Sequence, residues 1–210
     1  MNFLAHCALA HDTAHAWRAD ASLGNGLLAG AVIGDFVKGA VDATWPPELR
    51  AGVRLHRRVD ALSNRNSGLR QSASRFPEEL RRFAPILVDM LADHFLTHRW
   101  RSYYEAPLGD FTAVCYEAIE TYAEFLGPDG QRFFEYMRDV DLLANYDEWP
   151  HVRRGYRSVL RRLGRPEWLH DCERASKAIL SDAALDFETY YPELRDDCAA
   201  LARRELLGED

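Results

Sequence analysis

An all-α fold follows from three observations on this sequence. Apolar residues recur at three- and four-residue spacing almost throughout. No long alternating run enriched in β-branched residues is present. Proline and glycine, at Trp45-Pro46-Pro47, Gly127-Pro128, Gly164 and Pro166, punctuate the periodic stretches.

The elements follow in order. A first amphipathic helix is predicted from Asn2 to Trp17. A second, from Ser22 to Lys38, carries Gly26, Gly30 and Gly34 four apart. That spacing is not a phosphate-binding GxGxxG and no strand precedes it, so the stripe predicts close approach of a neighbouring helix. Pro47 suits the first turn of a third helix running to Leu62. A fourth follows Phe76-Pro77 and extends to Tyr104, with a kink expected at Pro85, which cannot donate a backbone hydrogen bond. Further helices are predicted over Asp110–Phe125, Gln131–Leu142, Glu148–Leu163, Pro166–Ser181 and Asp182–Leu207.

The 210 residues are enough for one buried core, and with 47% hydrophobic and 28% charged residues the chain reads as a single globular domain over 1–210. Leu23 to Val37, the least polar stretch, is too short and too interrupted to cross a membrane. Met1–Ala10 has no basic leader, so a secretory signal is not expected. Cys7, Cys115, Cys172 and Cys198 show no CxxC spacing and read as free thiols in a reducing cytoplasm. The net charge of −7 argues against nucleic acid as a partner. One segment departs from that balance: Arg153 to Arg165 holds six arginines (153, 154, 157, 161, 162 and 165) and no acid. It is either a docking patch for an acidic partner or a solvated face paired with the chain's own acids.

Three helix-borne motifs could carry chemistry. In His56-Arg57-Arg58-Val59-Asp60, the histidine and aspartate are four apart and share a helix face, as a pair of metal ligands or as a surface ion pair. Asp89, Asp93 and His94 lie in an otherwise apolar helix, where a buried carboxylate requires a cation, arginine or metal. Asp35 follows a run of small and apolar residues near a helix C-terminus, where the dipole disfavours a negative charge. His6, in the first helix, is a weaker fourth group, equally readable as a core histidine. Imidazole and carboxylate without thiolate suit Mn²⁺, Mg²⁺ or Fe better than structural zinc. HExxH, GxSxG and P-loop motifs are absent.

These residues sit in a wider pattern. MNFLAH at the start, GDFVKG at 34–39, HRRVD at 56–60, Ala84-Pro85 before LVDMLADHFL at 87–96, Trp100, and YYPEL at 190–194 together resemble the acyl carrier protein phosphodiesterases, a family related to the HD-domain phosphohydrolases. The resemblance implies an HD-like helical bundle and Mn²⁺-dependent hydrolysis of the phosphodiester that joins 4′-phosphopantetheine to a carrier-protein serine. It implies Asp35 first as metal ligand, then His56, Asp60 and His94, with His6 or Asp89 completing the set. Asp89, Asp93 and Arg57 are the catalytic candidates, Arg57 or Arg58 bracing the diester oxygens. Holo-acyl carrier protein, strongly acidic, would meet the six arginines. Two departures stand out: Ala61-Leu62-Ser63-Asn64 replaces an acid common after HRRVD, and Asp93-His94 reverses the usual His-Asp order. Which of Asp89 and Asp93 faces the metal stays open. A nucleotide-directed phosphohydrolase and a non-catalytic binder of an acidic partner are the alternatives.

Overall fold

The computed structural model describes residues 1–208; the last two residues of the expected 1–210 domain lie outside the described residues. Eleven α-helices and no strand are found among the described residues, so the fold is all-α. They are α1 (Phe3–Ala16), α2 (Ala21–Ile33), α3 (Pro47–Arg65), α4 (Ser67–Ser74), α5 (Ala84–His98), α6 (Trp100–Tyr103), α7 (Leu108–Thr121), α8 (Pro128–Asp139), α9 (Trp149–Arg162), α10 (Leu169–Ala199) and α11 (Arg203–Leu207). None of the described helices is long and apolar enough to cross a membrane.

The glycine stripe does what its spacing predicts. Gly26, Gly30 and Gly34 on one side of the α2–α3 seam meet Glu48, Gly52 and His56 on the other. A β-carbon at Gly30 would lie 2.3 Å from the Gly52 carbonyl carbon, so the two backbones touch where larger residues would hold them apart. Leu27, Ile33, Leu49, Leu55 and Val59 pack fully buried about this seam.

The helix expected to reach Tyr104 ends at His98, with Trp100–Tyr103 separate, and several other boundaries differ from expectation. The second helix stops at Ile33, and Gly34–Phe36 tighten into a 3₁₀ turn closed by Val37 N–H to Gly34 O at 3.3 Å. Pro85 opens α5 instead of kinking a longer helix, because the first turn needs no amide donor there. α4 is a separate helix, started by the Asn66 side chain, which accepts from Gly68 N–H and Leu69 N–H. The two helices expected at 166–207 are joined: α10 runs unbroken through Ser181-Asp182 and holds Pro192 in its interior, and the short α11 follows it. No glycine stands between the two predicted segments, so nothing stopped the helix, and both the Asp182 and Asp186 carboxylates are engaged by Arg75.

Candidate metal centre

Two of the site's histidines are set by the backbone around them. The His56 ring lies over Gly34, where a β-carbon would be only 2.5 Å from its Cγ. Its Nδ1–H donates to the Ala31 carbonyl at 2.9 Å. That hydrogen bond fixes the tautomer and leaves the Nε2 lone pair facing Asp60 Oδ2 at 3.4 Å and Asp35 Oδ1 at 3.9 Å. From α1, His6 stacks on His56 with ring centroids 4.2 Å apart and directs Nε2 to Asp60 Oδ1 at 3.1 Å. His6 is buried, and among the described residues its Nδ1 has no partner and its Nε2 contacts only the cluster.

His6, His56 and Asp60 thus bring three ligand atoms within 4.8 Å of one another, a group that could hold a metal ion. The donor set fits a cation on chemical grounds. A neutral His56 presents a lone pair to a carboxylate oxygen, two acceptors in contact, and a proton or cation between them removes the repulsion. Burial pushes the His6 pKa down to about 3, which keeps its imidazole neutral and available as a ligand. Burial would raise the Asp60 carboxyl, but the His6 hydrogen bond leads the opposing contributions that hold it below the ordinary range. Asp35, half exposed, is pushed up by partial desolvation and by Asp60, against the pull of His56.

The remaining predicted site residues are placed elsewhere. Asp93 is fully buried, and no arginine pairs with it among the described residues. Its Oδ2 accepts from Leu4 N–H at 2.9 Å and the Asn2 side chain at 3.0 Å, and its Oδ1 from Ala5 N–H at 2.9 Å. It therefore caps the N-terminus of α1 from 88 residues away, where four amide donors need acceptors. Burial pushes its pKa up to about 7, opposed by those same donors. Both Asp93 oxygens face this helix end, accepting from Asn2, Leu4 and Ala5. His94 donates Nδ1–H to the Tyr146 carbonyl at 2.7 Å and packs edge-on against His98 and Trp149. It lies outside the trio of ligand atoms, so the structure does not bring it to the metal position that the motif match implied. Asp89, partly exposed, faces the Met1 nitrogen at 3.0 Å. Arg57 donates to the Val37 carbonyl at 3.1 Å, tying down the loop after Asp35; Arg58 points to Glu205.

Of the arginine segment, Arg153 pairs with Glu173 at 2.9 Å and Arg165 with Glu167 at 3.8 Å. Arg154, Arg157, Arg161 and Arg162 are exposed and have no carboxylate partner among the described residues. Sequence reading did not single out Gly34 as the seat of His56 or Asn2 as a partner of Asp93. The four-residue glycine stripe ending beside Asp35 was the available signal for the first; nothing local signals the second.

The comparisons agree on one family. The family model described as "Acyl carrier protein phosphodiesterase" matches residues 1–194. An Escherichia coli O6:H1 protein named acyl carrier protein phosphodiesterase is 31% identical over 206 residues, 96% of this chain and 100% of its own. An Escherichia coli O157:H7 protein of the same name is 30% identical over 195 residues, 92% of this chain and 95% of its own. No solved structure matches the chain.

Proposed function

This chain belongs to the acyl carrier protein phosphodiesterase family, and from that premise we propose that it hydrolyses holo-acyl carrier protein to apo-protein and 4′-phosphopantetheine. The observation that carries the chemistry is the His6–His56–Asp60 cluster, assembled from α1 and α3. His6, His56 and Asp60 would hold a divalent cation, with Asp35 beside them as the fourth group. Bound there, Mn²⁺, with Mg²⁺ or Fe as alternatives, supplies charge neutralisation on the diester and a lowered pKa for the attacking water.

The protein's own role is to present and hold these groups. The proton on His56 Nδ1 is anchored at Ala31, so the lone pair is aimed before any ligand arrives. Arg57 fixes the loop after Asp35 through Val37 and is a positioning residue for that carboxylate. Asp89 is the remaining carboxylate on α5 that is not committed to α1. An acidic carrier protein would dock on the exposed guanidinium groups of Arg154, Arg157, Arg161 and Arg162, with Arg153 and Arg165 at the margins of the patch. The cysteines, all buried and unpaired, support a reducing cytoplasmic location. The test is intact-mass measurement of holo-acyl carrier protein incubated with this protein and Mn²⁺. Loss of one phosphopantetheine per carrier protein is expected, and an unchanged mass would refute the reading.

A further inference from the structure

Beyond Asp60, α3 continues toward a cleft of about 120 Å³ that the chemistry above does not use. Ser63 and Asn64 of α3, Leu69, Arg70 and Ala73 of α4, and Pro85 and Val88 of α5 form its walls, with Asp89 at the end nearer α1. Ser63 follows Asp60 by three residues, so it stands on the same helical face about 5 Å along the axis. Its hydroxyl is buried and has no hydrogen-bond partner among the described residues, and the lining beside it is aliphatic at Leu69, Ala73, Pro85 and Val88 and polar at Asn64, Arg70 and Asp89.

We propose that this cleft is the subsite for the pantoyl unit of the phosphopantetheine arm. The proposal rests on the carrier-protein reading and adds where the arm lies. In 4′-phosphopantetheine the carbon bearing two methyl groups is three bonds from phosphorus, and the next carbon carries a hydroxyl. A phosphorus atom held at the His6–His56–Asp60 cluster therefore places a compact apolar unit with one hydroxyl about one helical turn away. The cleft offers that complement: an aliphatic wall for the methyl groups and Ser63 Oγ for the hydroxyl. Arg70, exposed at the mouth, leaves the amide-rich remainder of the arm in polar surroundings. A nucleoside, flat and rich in ring nitrogens, has no aromatic face here on which to stack.

Saturation-transfer NMR on the intact protein with 4′-phosphopantetheine and Mg²⁺ tests the assignment directly. The geminal methyl protons should receive more saturation than the cysteamine protons. Ala73→Phe should abolish that preference, and Ser63→Ala should weaken 4′-phosphopantetheine binding by about three- to tenfold. Both should leave hydrolysis of a bis-nitrophenyl phosphate, which has no pantoyl unit, at the wild-type rate. If Ala73→Phe fails to fold, judged by circular dichroism, Ser63→Ala still decides. Even saturation along the arm, no binding at all, or unaltered binding in the folded variants would overturn the proposal. Selective methyl saturation in a protein that leaves holo-carrier protein intact would sink the catalytic reading and keep the subsite. Cleavage without methyl saturation would do the reverse.

Discussion

Gly34 lies beneath the imidazole of His56 so closely that a β-carbon at position 34 would stand 2.5 Å from the ring's Cγ. The ring is thereby held flat against the end of α2, with Nδ1 on Ala31 and Nε2 toward Asp60. Gly34→Ala should tilt the ring off this seat while leaving the rest of the α2–α3 seam in place. We expect metal affinity to fall roughly ten- to hundredfold, the scale seen when groups that orient a ligand are lost. Wild-type Mn²⁺ affinity in a folded Gly34→Ala protein, by calorimetric titration, would show that the seat does not matter.

Asp60 and Asp93 should respond in opposite ways. Asp60→Ala removes the carboxylate that joins both imidazoles, so added Mn²⁺ should no longer raise the unfolding temperature. A bound ion at a hundred times its Kd stabilises by about 2.7 kcal/mol, enough to read in a thermal scan. Asp93→Ala should instead lower stability without metal by about 1–3 kcal/mol, since it leaves the Leu4 and Ala5 amides at the start of α1 without their buried acceptor. A stable Asp93→Ala protein with abolished Mn²⁺ stabilisation would return Asp93 to the metal centre.

Acid sensitivity should trace to Asp186. Burial would raise its carboxyl, but the Arg75 guanidinium, bound at 2.8 and 3.0 Å, and the Ser72 hydroxyl hold it below the ordinary aspartate range. A depressed folded pKa means that this stabilisation is complete above the unfolded value of about 3.9 and is lost as pH falls through the folded one. The urea midpoint of the wild type should therefore drop between about pH 4 and pH 2, and Asp186→Asn should flatten that slope. An identical slope in the variant would place the acid-labile interaction elsewhere.

Charge reversal on α9 separates docking from chemistry. Arg157→Glu with Arg161→Glu should raise KM for holo-carrier protein and spare a small diester, because neither guanidinium has a carboxylate partner to lose among the described residues. Wild-type KM should also rise with salt, as steering between opposite charges is screened over about 10 Å at 0.1 M. Equal losses on both substrates would mean that the arginines support the fold or the centre and not the partner.

Periodicity and punctuation by themselves determined the all-α class. Spacing likewise determined the close α2–α3 approach at Gly26, Gly30 and Gly34, and the four-residue interval that turns His56 and Asp60 to one side of α3. These are local properties of a helix, and a helix repeats them wherever it is placed. The ends of elements were less legible: Pro85 breaks a helix or opens one according to where the preceding turn stops, and Ser181-Asp182 is a cap only if the chain turns there. Only the tertiary structure decided how the acids and histidines were shared out. His6 reaches Asp60 across 54 residues, Asp93 reaches Ala5 across 88, and His94 reaches Tyr146 across 52. Burial told that Asp93 needed compensation but not its source, since backbone amides at a helix end satisfy a carboxylate as well as a cation does. Which of the two a buried aspartate meets depends on which helix end is packed against it, and that is fixed by the packing of α1 on α5.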